Sequence, residues 1–323
     1  MKKIFIALMI MAVPLTAPAQ EETAPEPQAA EETQADEKAQ DADTAQPEET
    51  AAEAEEETAA PEPAAKEEVP FTQVILDFEI GMLSVLEHAI KFDSDGTYFD
   101  YVDEGGQDII FPFLRMSAEL ELDGAHSIIF LYQPINIQTH VALKRDIMVD
   151  TVYFHEGMPM DLRYGFDFYR LSYLYDFFGN DKDNEVAIGL SMQIRDAVIE
   201  FKSADGDRSV TKRDVGPVPA LKFRGRGQWG RFWFGAEMDG MYAPIKYING
   251  GSSDVEGAII DLSLRPGIHV VKSMDVFLNL RYIGGGAEGT SKNSDDLGDG
   301  YTENWIQLLS TSIGIEWTPT DIF

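Results

Sequence analysis

The chain of 323 residues contains no cysteine. That excludes disulfides, thiolate-held metals and a thiol nucleophile. It also excludes a lipid-modified cysteine. Histidine is scarce, at five residues. Long apolar runs are missing as well. The longest, Ile4 to Leu15 with Pro14 inside it, is about twelve residues, short of the roughly 20 that a spanning helix needs. Lysine and arginine total 25 against 57 aspartates and glutamates, a net charge of −32. A surface so acidic repels phosphates, so no nucleic acid partner is expected. No glycine-rich phosphate loop follows a strand and opens a helix, and a nucleotide site has no support. No cofactor is implied.

The charge is uneven. Residues 21–69 hold 18 acids and two lysines, a net of −16. Residues 1–19 have the form of a secretory signal: Lys2 and Lys3, the apolar run, then Ala17-Pro18-Ala19 as a small-x-small cleavage site. Residues 20–69 are almost wholly Ala, Glu, Gln, Thr, Asp and Pro, with no aromatic residue. Such a segment cannot bury enough apolar area to offset the entropy of ordering, so a disordered acidic tail is expected. As a flexible coil it spans roughly 40 Å.

From residue 70 the composition changes. In Glu185–Arg195 the residues Val186, Ile188, Leu190, Met192 and Ile194 alternate with small, polar or charged ones, the period of a strand with two unlike faces. Nine further segments behave similarly: about Thr72–Met82, Asp108–Leu122, Ala125–Thr139, Met160–Phe178, Pro217–Gly225, Trp229–Tyr242, Gly257–Ile268, Met274–Tyr282 and Glu303–Thr318. Asp123-Gly124 reads as a two-residue hairpin turn. Pairing Leu122 with Ala125 puts Ile129, Leu131, Ile135 and Ile137 on the outer apolar face, His126, Ile128, Phe130 and Tyr132 inside, and Gln133 outside as a misfit. In Met160–Phe178 the apolar set moves from even to odd positions near Phe168–Tyr169, and in the following segment it moves after Arg195. A β-bulge accounts for such a change, and it predicts strands that run past a membrane edge.

Connections alternate in length. The expected long ones are about 83–107, 140–159, 202–216, 243–256 and 285–302. The expected short ones are Asp123-Gly124, Asn180–Asn184, Arg226–Gln228 and Val270–Lys272. Transmembrane barrels have this rhythm, with short periplasmic turns and long outer loops. Trp229, Phe177, Phe178 and Trp317 near one set of strand ends, and Tyr242, Tyr282 and Tyr301 near the other, suit interfacial girdles.

A signal segment, alternating strands, this loop rhythm and an aromatic end together resemble the bacterial outer-membrane β-barrel class over about Thr72–Phe323. The resemblance implies an all-β fold, an antiparallel up-and-down transmembrane barrel of about ten strands, with both termini periplasmic and outer-membrane lipid around it. It also implies that the barrel-assembly machinery reads the C-terminal strand. Ile313, Ile315, Trp317 and Phe323 keep its phase, while Pro319 and Asp321 break it. The stretches Gly216-Pro217-Val218-Pro219-Ala220-Leu221-Lys222-Phe223, with Arg224, and Tyr282–Gly289 are similar to an uncharacterised family of outer-membrane proteins. That family carries no function over, and no extracellular ligand is implied.

The inward rows carry the candidate site, a lumen charge network of Asp77, Glu79, Arg115, Glu119, Arg170, Arg195, Arg231, Glu237, Asp239, Asp261, Arg265, Asp275 and Arg281. Glu121, Asp176 and Glu185 share those rows. A ten-stranded barrel is largely filled by side chains, and opposite charges in so confined a space must pair. Asp261, Ser263 and Arg265 have to face the same lumen as Asp275, Asn279 and Arg281. A turn centred on Val271 therefore puts Asp261 opposite Arg281, within reach of a salt bridge.

Catalysis finds little support. Proteases of the omptin family have a similar strand number and use an adjacent Asp-His pair, and no Asp-His dipeptide exists here. His126 and Ser127 are neighbours on a strand, so they point to opposite faces and cannot act as base and nucleophile. His88 and His155 fall in expected loops and could meet outside. The acids Asp295, Asp296, Asp299 and Glu303 do not match an EF-hand spacing. The expectation is a non-enzymatic barrel that presents loops above a filled polar lumen. A narrow solute channel is the alternative, and a hydrolase of lipid or peptide comes third.

Overall fold

The computed structural model describes residues 72–179, 181, 183–244, 254–290 and 298–319. The expected signal segment and acidic tail, Asp295, Asp296, Asp321 and Phe323 lie outside them. All regular structure among the described residues is strand: β1 Thr72–Phe92, β2 Phe99–Asp100, β3 Ile110–Leu122, β4 His126–Ala142, β5 Ile147–Val149, β6 Val152–Phe154, β7 Pro159–Asp176, β8 Asn184–Ser203, β9 Ser209–Trp229, β10 Phe232–Pro244, β11 Glu256–Val271, β12 Met274–Thr290 and β13 Tyr301–Trp317. Ten of these pair in chain order, and β13 returns to β1, so the sheet closes into an antiparallel barrel of ten strands. β2 adds to the tip of β1, and β5 with β6 makes a small separate hairpin. The architecture is the one that the outer-membrane class predicts.

The ends of the barrel differ. One carries the tight connections at 123–125, 177–183, Gly230-Arg231 and Lys272-Ser273. Leu76 pairs with Trp317 at this end, so the described chain begins and finishes there. The other end carries the longer connections, but less of their length is loop than the sequence suggested. β1 runs on to Phe92, β7 and β8 are joined to their neighbours almost to their tips, and the expected loop 202–216 is mostly strand around a five-residue turn, Ala204–Arg208. β9 likewise extends through Pro217 and Pro219 instead of beginning there.

The face expected for β4 is reversed. Asp123 and Gly124 both take positive φ (54° and 65°), and Leu122 pairs with His126, not Ala125. One added turn residue moves every side chain to the other face. Ile129, Leu131, Gln133, Ile135 and Ile137 therefore point inward and are buried, while Ile128 and Phe130 are exposed.

No bulge interrupts β7 or β8. Their mutual register is unbroken from Met160↔Ser203 to Asp176↔Ala187. The chemistry of the two faces inverts instead. Toward the turn end, Leu171, Tyr173, Tyr175, Val186, Ile188, Leu190, Met192 and Ile194 face outward and are exposed. Toward the loop end the inward residues are the apolar ones: Met160, Leu162, Tyr164, Phe166, Phe168, Ala197, Ile199 and Phe201 are all buried. They join Leu83, Ile90, Phe99, Tyr101, Ile137, Phe154, Ile306 and Leu308 in one packed core. Burying each large apolar side chain stabilises the fold by about 1.5–3 kcal/mol. β1 reaches the same core through a real register shift between Val85 and Glu87, which turns His88, Ile90 and Phe92 inward. The barrel is thus oily outside in its turn-side half and oily inside in its loop-side half.

Candidate functional site

The turn-side half of the lumen is polar because inward rows of charged residues have nowhere else to go. A charge held in so confined a space is costly unless paired and hydrogen-bonded, and these are. The Asp261 carboxylate accepts from Arg281 Nε and Nη2, each at 2.7 Å, and from Arg170 Nη2 at 2.7 Å. Arg170 Nη1 donates to Asp239 at 2.7 Å, and its Nη2 also reaches Gln193 at 3.2 Å. Lys222 Nζ bridges Glu237 at 2.7 Å and Asp239 at 3.1 Å. Both guanidiniums lie over the ring of Phe168, at 4.7 and 5.5 Å from its centroid. Phe168 is therefore where the charged layer meets the apolar core.

A second cluster centres on Glu79, which is fully buried. It pairs with Arg115 and accepts from Ser312 at 2.6 Å and Asn279 at 2.8 Å. Arg265 stands between Asp77 and Glu237, 3.3 Å from each, and 3.7 Å from Glu79. Nearer the turns, Arg224 donates two parallel bonds to Glu119, both 2.7 Å, and a third to Glu185 at 2.5 Å. Arg226 binds Glu316 at 2.8 and 3.0 Å and Asp275 at 3.2 Å, and it stacks on Trp233 at 3.9 Å. His269 Nδ1 lies 2.6 Å from Asp275. The planar fork of arginine suits such two-point contacts, which fix side chains in place.

The turn-side members of these clusters line a cavity of about 640 Å³ that runs from the turns up to Arg115, Arg170, Lys222 and Arg265, while Glu79, Asp239, Asp261 and Arg281 are not part of its lining. Ten carboxylates and seven lysines or arginines line it among the described residues. Most of the cations are already engaged by carboxylates. The arrangement can hold water and small polar solutes, and it leaves a mild excess of negative charge.

The candidate residues are placed as follows. Asp77, Glu79, Arg115, Glu119, Arg170, Glu237, Asp239, Asp261, Arg265, Asp275 and Arg281 come together inside the barrel. Arg231 does not. It sits exposed in the Gly230-Arg231 turn and donates to the His269 carbonyl, because β9 continues to Trp229 and leaves it outside the paired rows. The side chain of Arg195 lies outside the description; its backbone pairs with Phe168 and Gly216. Asp261 and Arg281 do form their salt bridge, but on a diagonal. Arg281 is opposite Ser263, and Asp261 is opposite Ile283. The turn is the two residues Lys272-Ser273, and a register shift between His269 and Val271 restores the parity.

Lys222, Arg224, Arg226, Glu316, Gln133 and Gln193 were missed. The run Lys222-Phe223-Arg224-Gly225-Arg226 alternates perfectly and pointed inward, had the turn not been drawn at Arg226. Gln133, once a misfit, faces the lumen and accepts from Arg281 Nη1. Its polarity was the signal that the face of β4 had been inverted.

The histidines do not assemble into a base and its nucleophile. His88 is buried in the core, 2.8 Å from Gln107 and stacked on Tyr101, whereas His155 is exposed near Asp146; the two do not meet. His126 faces outward and bonds to Tyr173 at 2.8 Å, and Ser127 faces the lumen beside Arg224. His140 pairs with Asp161 on the outside. No group of three or more metal-ligating side chains is found among the described residues.

No protein-family profile and no curated protein matches the chain. Among solved structures it is similar to the outer membrane protease OmpT from Escherichia coli, at 11% identity and a TM-score of 0.45, covering 76% of this chain and 97% of that one. It is similar to OprG from Pseudomonas aeruginosa at 11% identity and a TM-score of 0.35, covering 76% and 95%. The attachment invasion locus protein Ail of Yersinia pestis is similar at 9% identity and a TM-score of 0.30, covering 76% and 99%.

Proposed function

We propose that the chain is an integral outer-membrane barrel, non-enzymatic, which carries a rigid extracellular dome above a plugged polar lumen. The observation that carries this reading is the inversion of the wall. Leu190 and Leu278, with Leu171 and Ile313, expose 63, 59, 55 and 51% of their surface. Contiguous exposure of that kind suits hydrocarbon, not water. Val186 to Ile194 spans about 27 Å along the strand, or about 20 Å at a tilt of about 40°, most of the apolar band of such barrels. On this reading the turn end is periplasmic, outer-membrane lipid surrounds the belt, and the assembly machinery recognises β13 through outward Ile313, Ile315 and Trp317.

The packed core of the loop-side half argues against an open pore. Purified protein in planar bilayers is expected to give no stable conductance steps, and to float with vesicles through an alkaline wash. Steps that vanish on reversing Arg265 or Arg281 would replace this reading with that of a channel.

A further inference from the structure

A closed barrel should have no free strand edge, yet hydrogen bonding in this wall stops at two places. β3 and β4 pair only from Met116↔Tyr132 to Leu122↔His126. Beyond that point the gap is filled by the chain's own loop. Gly106 packs against Val141, where an added Cβ would lie 2.8 Å from its Cγ1. Arg145 binds Glu104 at 2.8 Å and the Tyr98 carbonyl at 2.7 Å, and Thr97 bonds to the Met148 carbonyl at 2.8 Å.

The second place is different. β10 pairs with β9 only from Phe232↔Trp229 to Gly240↔Leu221. From Ser209 to Ala220 β9 keeps β8 on one side and has no strand among the described residues on the other, where Lys212 meets Asp150 of the β5–β6 hairpin at 3.0 Å, while Met241–Pro244 of β10 pair with β11 alone. No described residue bridges this seam. Its lower part lies at the level of the apolar belt, because Pro217 and Pro219 pair with Ile194 and Met192, both outward and exposed.

Four features suggest what fills it. Proline has no N–H, so Pro217 and Pro219 leave no bare donor in hydrocarbon, where an unpaired donor is costly. The same prolines make a poor template for a partner strand, which needs those donors. Val218 and Ala220, on the inward row opposite Gln193 and Ser191, are apolar. At Gly216 on that row, an added Cβ meets nothing within 4 Å among the described residues. We infer that the seam between β9 and β10 is a binding site for an acyl chain of an outer-leaflet lipid, which enters the wall between Pro217–Ala220 and Met241. This rests on the membrane reading above.

The test uses the intact protein in phosphatidylcholine vesicles that contain a phospholipid with a diazirine on one acyl chain. After illumination, adducts are mapped by peptide mass spectrometry. Adducts are expected on outward Leu190 and Leu221, and also on inward Val218 or Ala220, with none on inward Ser263 and Asn279 of the closed wall. Val218→Trp, filling the seam from inside, is expected to remove the adduct at Ala220 and to leave that at Leu190. Val218→Leu serves the same purpose if the larger residue impairs folding. Adducts on Leu190 and Leu221 with Val218 and Ala220 bare would overturn the seam alone, whether residues 245–253 or a second copy cover it. Bare Leu190 would overturn the membrane reading too.

Discussion

Deleting the carboxylate of Asp261 probes the lumen network most sharply. Asp261 is 3% exposed and accepts three hydrogen bonds of 2.7 Å from two guanidiniums. Removing one partner of a buried ion pair costs about 3–5 kcal/mol. Here neither cation is left bare, since Arg281 keeps Gln133 and Arg170 keeps Asp239 and Gln193. Asp261→Leu is therefore expected at the lower end, about 3 kcal/mol. Arg281→Met leaves Asp261 with Arg170 alone and is expected to cost a similar amount. The double variant Asp261→Leu with Arg281→Met removes charge and countercharge together. It should lie within about 1 kcal/mol of the wild type, because apolar replacement of a whole buried pair is often neutral. The assay is urea unfolding in phospholipid vesicles, followed by the fluorescence of the four tryptophans. The gel mobility of unheated protein checks that each variant is folded at the start. A single variant as stable as the wild type, or a double variant whose loss equals the sum of the singles, would refute the reasoning.

Three further outcomes follow from the same structure. Leu190→Arg, in the outward belt, should lose about 2–4 kcal/mol in vesicles, and the same assay would show no change if Leu190 met water instead. Phe201→Ala, in the loop-side core, should lose about 3–5 kcal/mol; denaturant midpoints measure it, and a loss below about 1 kcal/mol would mean that the core is not tightly packed. At the loop end the Ser94 hydroxyl, with the Tyr301 and Ser94 amides, bonds to the Asp299 carboxylate and holds its pKa at about 2, below the usual 3.8. A depressed carboxylate stabilises the fold above its unfolded value and loses that contribution as pH falls through the folded one. The contact should persist at pH 4 and fade toward pH 2, and amide exchange at Ser94 and Tyr301 would follow it.

Much of the wall was legible because alternation is a local property. For β1, β3, β11, β12 and β13 the faces could be read one residue at a time, and their outward stripes follow from the alternation alone. What could not be read locally was parity across turns. Leu122 and Ala125 flank a good two-residue turn, and only the lumen's demand for Gln133 shows that Ala125 belongs to it. The phase change in β7 failed for another reason. The pattern was correct, but the inference from pattern to bulge assumed one environment along the whole strand. Pro217 and Pro219 pointed to a short β9 because proline ordinarily ends pairing, whereas here they sit on an edge that needs none. The salt bridge between Asp261 and Arg281 survived an error in register, since a guanidinium reaches diagonally across two rungs.

On the proposed membrane reading, the inverted wall also acts as a waterline. Just above Tyr169 and Ile194 the outward positions become Asp167 and Asp196, and, past Gly165 and Val198, Arg163 and Glu200. Sinking the barrel by two residues would drag two carboxylates into oil, and raising it by two would strand Tyr169 and Ile194 in water. Depth in the bilayer is then set by single positions on neighbouring strands, independently of the loops, so the outer surface can vary freely without altering how high the molecule floats.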